Sequence, residues 1–157
     1  MGEVMNMKLT QKETMLLKDL KASEELCIEK YGTYAERAED PELKTLFETI
    51  RSGELQHLST IESLMQGTVP MMGGGSQQNQ QSGSSCCGDC TRKASKNDEF
   101  LCHDALDTEK HVSSVYDTCI FEFSDAGARD ALNHIQKEEQ EHGKQLYDYM
   151  SSHGLCA

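Results

Sequence analysis

Two Glu-x-x-His pairs, Glu54–His57 and Glu139–His142, stand 85 residues apart, and each is preceded 30 residues earlier by another glutamate, Glu24 and Glu109. Residues three apart on a helix share a face one turn apart, so each pair can present a carboxylate and an imidazole to one ion. Four Glu and two His from four helices form the ligand set of a dinuclear carboxylate site in a bundle core. Such hard ligands suit Fe, Mn or Zn better than Cu(I). Two ions roughly 3.5–4 Å apart can act together on one reactant. Four carboxylates come close to neutralising two divalent ions, so more than one oxidation state is accessible. Oxidation of Fe(II) or breakdown of peroxide is then the natural class of reaction.

The spacing of 85 belongs to an internal repeat. Leu16, Asp19, Tyr31, Asp40, Ile50 and Met65 fall without a gap on Leu101, Asp104, Tyr116, Asp125, Ile135 and Met150. Most other positions differ, yet the Glu and Glu-x-x-His register survives in both copies. A lone Glu-x-x-His is usually solvated surface. Here each pair lies inside an apolar stripe, where an unpaired carboxylate is expensive.

Four helices are expected to position these residues. Thr10-Gln11-Lys12-Glu13 has capping-box form, and Ser95 to Asp98 occupies the equivalent place before the third helix. The first stripe reads Leu17, Leu20, Glu24, Cys27, Tyr31, Ala35, and the second Leu43, Leu46, Phe47, Ile50, Glu54, His57, Ile61, Leu64. Asp40-Pro41 is a helix start, with Asp as cap and Pro at the first position. Gln66-Gly67 ends that helix. The third stripe reads Leu101, Ala105, Leu106, Glu109, Val112, Tyr116, Ile120, Phe123, and the fourth Ala128, Leu132, Ile135, Glu139, His142, Leu146, Tyr149. This is helical periodicity throughout. The expected helices cover about 10–39, 41–66, 96–124 and 126–151. Residues 151–157 are expected to fray.

Residues 67–94 are rich in Gly, Ser and Gln and read as a flexible linker. A 25-residue helix is roughly 38 Å long, and a linker of this length can run that distance. The expected architecture is therefore all-α: a single four-helix-bundle domain over residues 1–157, with two hairpins joined by a long crossover and related by an internal two-fold repeat. That is the ferritin-like arrangement.

Composition limits the partners. The formal charge of −12 over 157 residues argues against nucleic acid or an anionic membrane surface. No stretch reaches the roughly 20 apolar residues of a membrane span, and Met1 to Thr10 lacks the apolar run of a signal peptide. Seven cysteines do not close into a disulfide framework. Cys86, Cys87 and Cys90 crowd into the linker, where intermolecular disulfides or zinc are the functional readings and an idle thiol cluster is the bland one.

The face test sorts the near misses. Glu25 shares its side of the first helix with Lys18, Lys21 and Glu29 and is expected in solvent. Glu138 and Glu141 take polar positions, and Glu109 is preferred to Asp107. Cys27 reads as core packing. Tyr31 and Tyr116 face the core two turns from the site, either to hydrogen-bond a ligand carboxylate or simply to pack. His103, His111, His134 and His153 fall off the apolar faces. Gly53 and Gly143 interrupt helices beside the ligands, through bulging, close packing or neither.

The whole chain resembles the ferritin-like superfamily, sharing the ligand order of rubrerythrin-like and bacterioferritin-like proteins. That resemblance implies that Glu54 and Glu139 bridge two ions, with Glu24 and His57, and Glu109 and His142, as terminal ligands. A more specific resemblance is to the Coat F family of spore coat proteins, carried by Leu9-Thr10-Gln11-Lys12-Glu13, Leu16 to Leu20, Glu24 to Ile28, Tyr31, and Asp40-Pro41-Glu42-Leu43. It implies synthesis in the mother-cell cytoplasm of an endospore former and deposition on the spore, with other coat proteins or further copies of the chain as partners. Two departures matter. Val112 stands where rubrerythrin-like peroxidases have a further Glu, and the two Cys-x-x-Cys pairs of an iron–sulfur ribbon are absent. Both argue against a built-in electron donor and a fast peroxidase.

Three functions are consistent with these residues. One is a coat component carrying a dinuclear Fe or Mn centre. The alternative is a metal-dependent oxidoreductase (ferroxidase, peroxidase or manganese catalase-like) without a coat role. Iron storage is third, since nothing announces a cage.

Overall fold

The computed structural model describes residues 6–71 and 93–155. Four helices account for most of them: α1 Gln11–Arg37, α2 Pro41–Met65, α3 Lys96–Glu122 and α4 Ala126–Ser152. Each begins at a side-chain cap. Thr10 accepts from the Glu13 amide while Glu13 returns a bond to the Thr10 amide, closing the capping box. Asp40, Ser95 and Asp125 cap α2, α3 and α4. Pro41 begins α2, where its missing N–H costs nothing.

The hairpins are α1–α2 and α3–α4, and they pack with α1 on α3 and α2 on α4. Polar contacts at the ends give the directions. Lys12 reaches Glu122 across 2.6 Å, and Asn97 donates to the Arg37 carbonyl, so α1 and α3 are antiparallel. Tyr149 donates to Asp40 across 2.8 Å, so α2 and α4 are antiparallel too. Consequently α2 and α3 point the same way, and the chain must travel the bundle length between them. The described residues bear this out at both ends. Val69 lies against Gly127 at the start of α4, whereas Lys93 to Ser95 lie beside Glu39 and Asp40 at the opposite end. The result is the ferritin-like four-helix bundle. Most of the expected 67–94 linker, including Cys86, Cys87 and Cys90, lies outside the described residues.

The helix ends follow from their caps. Gly67 has φ +78° and lets the Thr68 amide close on the Ser63 carbonyl at 3.0 Å, satisfying the end of α2. α1 stops at Arg37, two residues short of the expected boundary, because Asp98 accepts from the amides of Glu39 and Asp40 and holds that turn extended. In the other half Glu13 accepts from the amide and hydroxyl of Ser124. Glu13 and Asp98 are 85 residues apart and both buried. Each opens its own hairpin and fastens the turn of the other.

The expected fraying at the C-terminus does not extend through residue 155. Gly154 has φ +70°, the Leu155 amide bonds the Met150 carbonyl at 2.8 Å, and Leu155 is buried. His153 is likewise no solvated bystander: its ring stacks on Tyr149 at 4.0 Å and faces Asp40. Apolar stripes of all four helices meet in one core around Leu17, Leu20, Phe47, Ile50, Leu132, Ile135 and Leu146. No described helix is long and apolar enough to cross a membrane.

Candidate metal centre

Midway along the bundle the apolar core is interrupted by carboxylates and imidazoles. Glu24, Glu54 and Glu139 are at most 1% exposed, His57 2%, Glu109 3% and His142 8%. All six residues singled out by spacing converge there. Their donor atoms form two overlapping groups, each spanning no more than 4.8 Å: Glu24, Glu54, His57 and Glu139, and Glu54, Glu109, Glu139 and His142. Glu54 and Glu139 belong to both. The two imidazoles stack with centroids 5.5 Å apart.

The polar atoms of this cluster are poorly satisfied. His57 Nδ1 is 2.9 Å from Glu54 and 3.2 Å from Glu139. His142 Nδ1 lies 3.4, 3.5 and 3.6 Å from Glu54, Glu139 and Glu109, in each case without hydrogen-bond alignment. One oxygen each of Glu24, Glu54 and Glu109, both oxygens of Glu139 and Nδ1 of His142 have no hydrogen-bond partner. Among the described residues no other buried side-chain polar atom is in this position. An orphaned buried polar atom costs roughly 1–3 kcal/mol, more when charged. Six of them facing one another form a donor set without aligned hydrogen-bond partners, and four carboxylates with two imidazoles fit two hard divalent ions.

Protons balance the charge within the cluster itself. Burial, then the neighbouring Glu139 and Glu54, pushes Glu24 up to about 9. Burial likewise lifts Glu109 to about 8, although His142 opposes the shift. Burial also disfavours a charged His57, but the surrounding carboxylates of Glu138, Glu139 and Glu54 outweigh it and raise the ring to about 12. Glu109, Glu139 and Glu54 overcome burial at His142 in the same way. Glu54 and Glu139 are held below the usual carboxylate range, against their burial, by the two histidines. The shifts favour protonated histidines and protonated Glu24 and Glu109 and favour charged Glu54 and Glu139.

Surrounding residues orient the ligands crosswise. The Tyr31 hydroxyl of α1 donates to Glu109 of α3, and the Tyr116 hydroxyl of α3 donates to Glu24 of α1. Each tyrosine therefore holds the terminal carboxylate of the other half, which is the positioning reading of these residues. Cys27 is buried within range of Glu54 and Glu24, and burial first, then those carboxylates, raises its thiol.

The face test holds for Glu25, Asp107 and Glu141, which are exposed. It fails for Glu138. This carboxylate leaves the polar face of α4 and accepts from His57 Nε2 across 3.0 Å, with His134 3.4 Å from its other oxygen. The matching position in α2, 85 residues earlier, is Gly53. A Cβ there would lie 2.8 Å from His142 Nε2, so close packing is the reason for that glycine. Gly143 meets nothing closer than 3.7 Å. A mismatch of Gly and Glu beside equivalent ligands was the signal for Glu138, but position on the helical wheel hid it. A further group, Asp40, Glu42 and His153, lies near the surface; Asp40 there already caps α2 and accepts from Tyr149.

Comparison with known proteins agrees with the fold. Residues 97–156, spanning α3 and α4, match the Coat F domain. The matched segment holds Glu109, Glu139 and His142 together with Glu138. The strings that carry the Coat F resemblance in the first half lie outside it. A solved structure with the same fold is that of a two-domain protein containing DJ-1/ThiJ/PfpI-like and ferritin-like domains from Anabaena variabilis, with a TM-score of 0.68 and 15% identity. The similarity covers 92% of this chain but only 37% of that protein. No curated protein matches.

Proposed function

We propose that this protein is a spore coat component whose ferritin-like bundle holds a dinuclear Fe or Mn centre. Glu54 and Glu139, which belong to both donor groups, would be shared by the ions, Glu24 and His57 would serve one half, and Glu109 and His142 would serve the other. The observation that carries this reading is the set of six orphaned polar atoms, all on the residues singled out by the repeat. A structural ion pair would satisfy its own members; these atoms face one another across a shared space. When bound, two such ions would supply Lewis acidity and a redox couple, with Fe(II) as the electron donor and O2 or peroxide as the acceptor. The chain's own residues bind the ions, exclude bulk water and accept or release protons at Glu24, Glu109, His57 and His142.

The Coat F domain supports the coat role. Synthesis in the mother cell and attachment to coat partners, through disulfides of Cys86, Cys87 and Cys90, belong to the same proposal. An oxidoreductase without a coat role is the second reading, favoured by the greater side-chain exposure of His142, 10% against 2% for His57.

The double variant Glu54→Ala with Glu139→Ala tests the shared core of both readings. It is expected to lose all bound metal while remaining helical. Retention of stoichiometric metal would remove these residues from the centre. Fractionation of spores separates the two readings: recovery in the coat fraction supports the first, and recovery only in the soluble mother-cell fraction supports the second.

A further inference from the structure

The pseudo-two-fold axis that superposes the ligands does not superpose what stands behind them. His57 and His142 are repeat equivalents, as are Gly53 and Glu138. Around His57 the outer ring nitrogen, Nε2, meets the Glu138 carboxylate at 3.0 Å. Around His142 the corresponding place is occupied by Gly53, whose bare backbone faces His142 Nε2. Burial differs in the same sense, with side-chain exposures of 2% for His57 and 10% for His142. So does satisfaction. Nδ1 of His57 has a hydrogen-bonded carboxylate, and Nδ1 of His142 has none.

An outer carboxylate on a ligating histidine fixes its tautomer and ring angle and makes the inner nitrogen a better donor. With Nε2–H donating to Glu138, displacement of the Nδ1 proton leaves the Nδ1 lone pair of His57 aimed among Glu24, Glu54 and Glu139. His142 lacks that support.

We propose that the two halves of the centre are inequivalent. Glu138 is a positioning residue that makes the Glu24–His57 half the tight, first-filled position. The Glu109–His142 half, backed by Gly53, is the weaker position that fills second and exchanges with solvent ions. The site is thereby graded, with one resident ion and one exchangeable ion. This inference rests on the dinuclear reading above.

The test is titration of the metal-free, full-length protein with Co(II), followed by visible absorption and calorimetry. Wild-type protein is expected to bind two ions in two steps at least about tenfold apart. Glu138→Ala should weaken the first step roughly 10–100-fold, the usual cost of losing an outer partner, and leave the second unchanged. Glu138→Gln, which keeps a hydrogen-bond acceptor, should recover part of that loss; a role confined to folding would not separate these two variants. Gly53→Ala places a Cβ 2.8 Å from His142 Nε2 and should abolish the second step while sparing the first. Two ions binding with equal affinity in the wild type would overturn the inference while leaving the dinuclear centre standing. So would equal weakening of both steps by Glu138→Ala. No Co(II) binding at all would overturn both.

Discussion

The first hairpin, α1–α2, and the second, α3–α4, present the same ligands in the same register, and the comparison separates what the centre requires from what each half adds. Both halves keep a glutamate, a Glu-x-x-His pair and a tyrosine two turns from the first ligand. Those tyrosines bond across the bundle, so neither hairpin completes its own half of the site. The same exchange recurs at the turns, where Glu13 holds Ser124 and Asp98 holds the amides at the start of α2. What differs is the outer wall. Gly53 gives His142 room, and Glu138 gives His57 a charged partner. A duplicated hairpin can thus keep one inner ligand set while its outer surroundings diverge.

Removing a terminal ligand from one half at a time breaks the comparison most severely. Glu24→Ala and Glu109→Ala should each lower the metal content from two ions per chain to one, measured by elemental analysis after dialysis. The loss at the affected half should exceed the roughly 10–100-fold that an outer partner costs. If either variant still holds two ions, the assignment of that terminal ligand is wrong.

Acid should weaken both halves together. His57 and His142 are raised above their ordinary values, and so are Glu24 and Glu109. All four therefore hold protons near neutrality when no ion is bound, and ligation must displace them. Falling pH adds competing protons, so affinity falls with pH and rises as pH increases. Calorimetric titrations in buffers of different ionisation enthalpy should show net proton release on metal binding near pH 7. Proton release near zero would contradict the charge balance within the cluster.

The crossed tyrosines sharpen the comparison on a smaller scale. Tyr31→Phe removes the bond to Glu109 and should weaken the His142 half; Tyr116→Phe removes the bond to Glu24 and should weaken the His57 half. Each leaves a buried carboxyl oxygen unpaired, at a cost of about 1–3 kcal/mol in metal-free denaturant unfolding. If each substitution weakened the half on its own hairpin, the crossed arrangement would be refuted. Smallest is the effect at the turns. Asp98→Ala, which frees the amides of Glu39 and Asp40, should cost about 1–2 kcal/mol of stability without altering metal stoichiometry.

The helices and ligands were legible because both are periodic. Glu24, Glu54, His57, Glu109, Glu139 and His142 lie within apolar stripes, and burial follows the stripe. The bundle topology followed from the helix lengths and a linker long enough to cross. Contacts that break periodicity were harder to read. Glu138 occupies a polar position and still reaches the core edge, because a Glu side chain can lean across a neighbouring turn. Asp98 was legible as part of a helix start but not as the cap of a distant turn, since that bond depends on how the hairpins dock. His153 and Leu155 lie beyond the last expected helical residue; α4 runs on to place His153 as its cap, and the positive φ of Gly154 turns Leu155 back onto the bundle.

The central claim is that six side chains from four helices hold two ions. Elemental mass spectrometry of the protein purified from sporulating cells or native spores tests it most directly. The account predicts two Fe or two Mn per chain. A folded, helical protein that carries none, and takes up none when Fe(II) or Mn(II) is added, would contradict it.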